Sequence, residues 1–270
     1  MNSYLSVDGA KLYYQVEGDG PVLLISQSGE GDADRSNDLV ARLADSYTVV
    51  TYDRRGLSRS AVDDPGGPVT IRRHADDAAA VLAEVTDRPA LMLGLSLGAA
   101  IGLHMLAADP GRIAKLIAHE PIALGFLDGA RADTTRTTLR AVQQVHQRDG
   151  WRAAAGAVAA ALGIDPRHQE TEPDITAFPF TGQRAANFEY FLTTDLAAAI
   201  TDTLTLGEVS RTAPIVPAVG TTSPADGFDY LSGLALADHL GVTAQRFPGG
   251  HNGNLTHPRA FAEQVVAVLG

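Results

Sequence analysis

Cysteine is absent from the 270-residue chain. That one absence removes disulfides, thiolate metal sites and a cysteine nucleophile. Positive charge is scarce: 21 Lys and Arg stand against 32 Asp and Glu, a net charge of −11. An acidic chain repels a phosphate backbone, so no nucleic acid is expected as a partner. No apolar run is long enough to span a bilayer, and the longest, near residues 89–103, is broken by a glycine- and serine-bearing turn. The opening residues, MNSYLSVDGAKLYY, lack the basic stretch and apolar core of a secretory signal. The chain is therefore expected off the membrane and in the cytoplasm. No HExxH or comparable ligand cluster occurs, so neither a metal nor a cofactor is expected. Internal repeats are absent, and alanine bias is the only compositional skew.

Hydrophobic residues make up 45% of the chain and charged residues 20%, which suits one soluble α/β domain with a large core. Two antiparallel strands, Ser3–Val7 and Lys11–Val16, are expected around Asp8-Gly9, a good turn dipeptide. Val22–Ser26 and Thr48–Tyr52 are continuous apolar runs that fit strands buried on both faces. Helical spacing marks Asn37–Ala44 and Ile71–Val85, the latter with His74, Asp76 and Asp77 read as a solvated polar face. Further strands are expected at 89–95, Ile113–His119, Pro214–Gly220 and Thr243–Phe247. Strands alternating with helices imply a mostly parallel sheet covered on both faces. The stretch from 122 to 211 breaks that rhythm. It is alanine-rich and helical in pattern at Thr138–His146 and Trp151–Leu162, with a proline-rich interruption after them. The expected division is a core of 1–121 and 212–270 with a helical cap inserted at 122–211.

The densest signal is Gly94-Leu95-Ser96-Leu97-Gly98. A GxSxG pattern alone would arise by chance in about one such chain in ten, so its context must carry the reading. Here an apolar strand leads in and a small-residue helix leads out, which puts a serine hydroxyl on a sharp turn above the sheet. A serine is a weak nucleophile near neutral pH and needs a base, itself oriented by an acid. His251 is the expected base. It lies in a glycine-rich loop, FPGGHNGN, after the last strand, at the sheet edge where open α/β sheets place their sites. His257, just before Pro258, reads as local structure at a helix start. As a base, His251 would have to be neutral, which sets an acid limb at roughly pH 6–7.

The acid is less direct. Thr222 and Ser223 stand where a carboxylate would follow the strand at 214–220, with Asp226 and Asp229 a few residues on. Glu120, in AHEPI, leaves the strand after the Ser96 turn beside the nucleophile. Glu120 is the expected acid and Asp226 the reserve. An oxyanion needs two preorganised N–H donors. The backbone of Leu97 should supply one. The loop at Gln27-Ser28-Gly29 should supply the other, from Ser28 or else Gly29, and the Gln27 side chain could touch a substrate carbonyl.

YDRRGLSRS at 52–60, GLSLG at 94–98, AHEP at 118–121 and FPGGHNGNLTHP at 247–258 together resemble the α/β-hydrolase superfamily over about two-thirds of the chain. The subgroup with Glu after the sixth strand resembles the fungal zearalenone lactonases and small bacterial lactonase or esterase relatives. That resemblance implies an eight-stranded α/β-hydrolase fold and a Ser96–His251–Glu120 triad. The usual His-Gly of the oxyanion loop is here Gln27-Ser28, and the cap carries no substrate residue over. The expected activity is hydrolysis of a carboxylic ester or lactone of a mid-sized apolar molecule through an acyl-serine. Trp151, Phe188 and Phe191, with Phe126, Phe178, Phe180 and Tyr190, are the candidates to line its cavity or simply to form cap core. C–C bond hydrolysis or cofactor-free perhydrolysis on the same triad is the first alternative. A hydrolase-like binding protein with little turnover is the second. The expected partner is a small-molecule ester or lactone, with homodimerisation an open alternative.

Overall fold

The computed structural model describes residues 1–165, 168–177, 179–180 and 182–270. β1 (Asn2–Val7) and β2 (Ala10–Glu17) form an antiparallel hairpin. β3 (Val22–Ser26) and β4 (Thr48–Tyr52) follow, each buried at every residue but the first. A two-residue strand, β5 (Ala61–Val62), pairs with β2. β6 (Ala90–Leu95), β7 (Ile113–His119), β8 (Ile215–Gly220) and β9 (Gln245–Phe247) complete the sheet. The order is β1-β2-β4-β3-β6-β7-β8-β9, parallel from β4 to β9. The eight expected strands are this path, with β5 a further edge piece. β9 is shorter than its expected 243–247 span.

Helices cover both faces, which is why β3 and β4 carry continuous apolar runs instead of an alternating pattern. On one side, α1 (Asn37–Leu43) and the C-terminal helix pack Leu39, Leu43, Phe261 and Val265 against Ile25, Leu93 and Ile117. On the other, α2 (Ile71–Val85) and α3 (Leu97–Ala108) press Ala78, Val81, Ala99 and Leu103 onto Leu24, Met92 and Leu116. Thr70 caps α2 by accepting from the Arg73 N–H, satisfying one of the donors a helix start leaves open.

One expectation for α2 is corrected. Of His74, Asp76 and Asp77, only Asp76 faces solvent. His74 and Asp77 are buried, because each meets a partner brought from elsewhere in the chain: Asp195 for His74 and Arg55 for Asp77.

Between β7 and β8 the described residues form helices and no strand. α4 (Gly129–Ala161) is longer than the two helices expected there, and it bends at Gly150, whose φ of 82° interrupts the helix. Asp128 caps it by accepting from the Arg131 N–H, which starts the helix well before Thr138. α5 (Gln183–Tyr190) runs through a π-turn at Phe191–Asp195 into α6 (Leu196–Thr201). After β8 come α7 (Phe228–Leu240), the short α8 (Gly253–Thr256) and α9 (Pro258–Leu269).

Candidate active site

Ser96 occupies the turn between β6 and α3 with φ 56°, a left-handed conformation that is rare for a residue with a side chain. Its N–H donates to the His119 carbonyl at 2.9 Å, which locks the turn onto β7. The glycine two residues on is required by contact. A Cβ on Gly98 would lie 1.9 Å from the Ser26 carbonyl oxygen, so any side chain there would force β3 and α3 apart. The result is a serine hydroxyl at the C-terminal edge of the sheet.

His251 follows β9 in the loop where Gly249 adopts φ 77°. Its Nε2 lies 3.0 Å from Ser96 Oγ, and its Nδ1–H donates to Glu120 Oε2 at 2.9 Å. Glu120 is the first residue past β7 and has φ 45°. Its second oxygen accepts from the Gly220 N–H at 2.8 Å. Three strand ends, those of β6, β7 and β9, thus bring the three expected side chains together.

The reserve acid is corrected. Asp226 is exposed and makes no contact with the histidine. Asp229, in the first turn of α7, is buried instead, and its Oδ2 lies 2.5 Å from His251 Nδ1. The sequence places this residue a few positions past the expected acid site without marking a role for it. The signal available was its place two residues past the glycine that opens the helix.

The electrostatics follow from these contacts. Burial pushes the Glu120 carboxyl up, but the His251 hydrogen bond and the nearby His119 and His251 rings outweigh it and hold the group below the ordinary carboxylate range. Burial pushes the His251 imidazole down, yet the negative charges of Asp229 and Glu120 win and raise it above its ordinary 6.5. His119 is fully buried against Phe247 and Phe261, and burial lowers it to about 4. Glu120, Asp229 and His251 also bring ligand atoms within 4.8 Å of one another, a spacing that could hold a cation. The ion pairs account for the arrangement without one.

The loop after β3 is set by a residue with no assigned role in the sequence reading. Arg54 is almost fully buried. Its guanidinium donates to the carbonyls of Gln27, Ser28 and Gly29 at 3.0, 2.7 and 2.7 Å. In a trans peptide the N–H points opposite to the C=O, so the amides of Ser28, Gly29 and Glu30 face away from Arg54. Asp195 neutralises the guanidinium at 2.8 Å and accepts from His74 Nε2 at 3.0 Å. Leu97 opens α3, so its N–H is among the first-turn donors that have no partner within the helix.

A cavity of about 370 Å³ opens over these groups, lined by Ser28, Gly29, Ser96 and His251 on one side and by Phe180, Phe188 and Phe191 on the other. Four residues named as candidates for its walls stand elsewhere. Gln27 is buried behind the loop, where its side-chain oxygen accepts from Ser36 Oγ. Trp151 stacks on Phe180 with ring centroids 4.8 Å apart and stands behind the wall. Tyr190 packs on Gly56, and Phe126 is buried in the core. Phe178 lies outside the described residues. Arg184 of α5 bonds Glu30 of the β3 loop at 2.6 Å, tying the helical stretch to the sheet beside the cavity.

Comparison with known proteins agrees with the fold. Residues 28–264 match the alpha/beta hydrolase family. The chain is 33% identical to an uncharacterised hydrolase, YraK of Bacillus subtilis, over 99% of its own length and 96% of that protein. It is 26% identical to a zearalenone hydrolase of Bionectria ochroleuca, covering 96% of this chain and 94% of the other. Among solved structures, an esterase of Exiguobacterium antarcticum has a TM-score of 0.77 at 19% identity, covering 100% of both chains. An enol-lactonase of Burkholderia xenovorans has a TM-score of 0.68 at 22% identity, covering 99% of each. At those identities the two structures speak for the fold. The sheet, the helices on both its faces and the family match over most of the chain show that this protein is an enzyme of the alpha/beta hydrolase family.

Proposed function

We propose that the enzyme is a serine hydrolase that cleaves a carboxylic ester or lactone of a mid-sized apolar molecule. The observation that carries this reading is the relay from Ser96 Oγ to His251 Nε2 at 3.0 Å and from His251 Nδ1 to Glu120 at 2.9 Å, beneath an apolar cavity. In this reading Ser96 Oγ attacks the substrate carbonyl while His251 Nε2 takes its proton. The tetrahedral oxyanion is held by the amides of Leu97 and Ser28, the second aimed by Arg54. The imidazolium returns its proton to the leaving alkoxide, which departs and leaves an acyl-serine. Water, deprotonated by the same histidine, then releases the acid. Glu120 holds the Nδ1–H tautomer and stabilises the imidazolium. Residues 122–211 act as a cap whose Phe180, Phe188 and Phe191 meet the apolar part of the substrate.

The cavity volume lies within the roughly 300–1,000 Å³ of small-molecule sites. The lactone side of the reading is supported by the likeness to a protein named for hydrolysing zearalenone. The test is a panel of p-nitrophenyl esters of several acyl lengths beside a set of lactones, assayed with wild type and Ser96→Ala. Turnover of at least one class by wild type, lost in folded Ser96→Ala, is expected. Turnover that survives Ser96→Ala would contradict a serine nucleophile.

A further inference from the structure

His251 Nδ1 carries one hydrogen and faces two carboxylates. Glu120 Oε2 accepts that hydrogen at 2.9 Å, and Asp229 Oδ2 stands 2.5 Å from the same nitrogen. The two acids come from separate elements, Glu120 from the end of β7 and Asp229 from the first turn of α7, so their convergence is not the by-product of one loop. Glu120 is anchored a second time by the Gly220 N–H. Asp229 has no second anchor: among the described residues, His251 is its one ion-pair partner, although its side chain is 3% exposed. A carboxylate buried to that degree is expensive unless a charge or hydrogen bonds compensate it. The start of α7 offers some compensation through the helix dipole, and the rest must come from the imidazole.

We propose that Asp229 is a second acid partner of His251, so that the base is held and charge-stabilised by a pair of carboxylates and not by Glu120 alone. This rests on the reading of Ser96 and His251 given above. Asp229 touches no reacting atom and acts through the histidine, as a positioning residue. When His251 takes the serine proton, the positive charge forms between two anions. When Glu120 loses its charge, Asp229 is already close enough to accept the Nδ1–H. The other titratable group packed against the site, His119 of β7, is buried and neutral in the working range, so it adds no opposing charge.

The test compares Glu120→Gln, Asp229→Asn and the double variant in steady-state hydrolysis of an ester that wild type turns over, with Ser96→Ala as the control. Removing the sole acid from a triad that has one costs about 10⁴-fold in kcat. With a pair, each single variant should lose about 10–10²-fold and the double variant about 10⁴-fold or more, at or beyond the product of the single losses, because the acid left in each single variant still serves the imidazole. Each single variant should also shift the acid limb of kcat/KM to lower pH, because losing one anion makes the imidazolium less stable. A merely structural Asp229 would not move that limb. Wild-type rate and an unmoved limb in Asp229→Asn would overturn the proposal. If Asp229→Asn does not fold, Glu120→Gln decides: a loss within about 10²-fold supports a second acid, and a full loss of about 10⁴-fold excludes it. Activity retained by Ser96→Ala would instead remove the serine reading on which the proposal stands, so the two failures are told apart.

Discussion

Replacing Asp195 with Asn should cost more stability than any surface change and should also slow the enzyme. Arg54 and Asp195 have side-chain exposures of 1% and 0%. The carboxylate accepts from Arg54 Nε and Nη2 at 3.1 and 2.8 Å and from His74 Nε2 at 3.0 Å. Asp195→Asn keeps the shape but leaves a guanidinium charge buried without its counter-ion. Breaking a buried pair from one side costs about 3–5 kcal/mol, a large share of a total stability of roughly 5–15 kcal/mol. With a urea slope of about 3 kcal/mol per M for a chain of this size, the unfolding midpoint should fall by about 1–2 M. Because the same guanidinium holds the carbonyls of Gln27, Ser28 and Gly29, kcat of the folded variant should fall as well. Arg54→Met should lose at least as much stability, since it also strips the donor from three carbonyls. Burial raises the Asp195 carboxyl, but Arg54 and His74 overcome this and hold it below its ordinary 3.8. Its contribution is therefore present above that value and lost as pH falls through the depressed one, so wild type and Asp195→Asn should converge in strong acid. A midpoint shift below about 0.3 M, or about 1 kcal/mol at that slope, with kcat unchanged would refute the reasoning.

Other expectations follow from the same contacts. Ser96→Ala should lower kcat by about 10³-fold or more with the urea midpoint unchanged, because it removes one oxygen at a turn and opens no core cavity. The pH–rate profile of wild type should place its acid limb above 6.5, the ordinary value of a histidine, because Asp229 and Glu120 raise His251; a limb below 6.5 would contradict those contacts. Gly98→Ala should destabilise the protein and cut activity together, since its Cβ would sit 1.9 Å from the Ser26 carbonyl oxygen; circular-dichroism melting beside an activity assay reads both, and unchanged melting would show that β3 and α3 have room to separate.

Where backbone pattern alone decides, the sequence reads well. β3 and β4 are apolar without alternation because both faces are covered, and the serine turn is visible because only small residues allow α3 to approach β3. Where a long-range partner decides, it reads poorly. His74 and Asp77 looked like the polar side of a helix because their partners lie 121 and 22 residues away. Asp226 and Asp229 are three residues apart, yet the first precedes the helix and faces solvent, while the second lies on the turn that packs against the sheet. Distance from a strand end does not reveal that phase. Trp151 illustrates a third limit: aromatic content marks the neighbourhood of a cavity, but which ring faces the space depends on stacking, here Trp151 behind Phe180. Nor does a buried arginine declare itself: the two adjacent arginines at 54 and 55 read alike until Asp195 and Asp77 claim one each.

The central claim is a serine nucleophile at position 96, activated by His251. Intact-protein mass spectrometry after exposure to a fluorophosphonate, followed by peptide mapping, tests it most directly. One adduct per chain on the peptide containing Ser96 is predicted, absent in Ser96→Ala and greatly slowed in His251→Ala. No adduct on wild-type protein that hydrolyses esters, or an adduct that persists in Ser96→Ala, would contradict it.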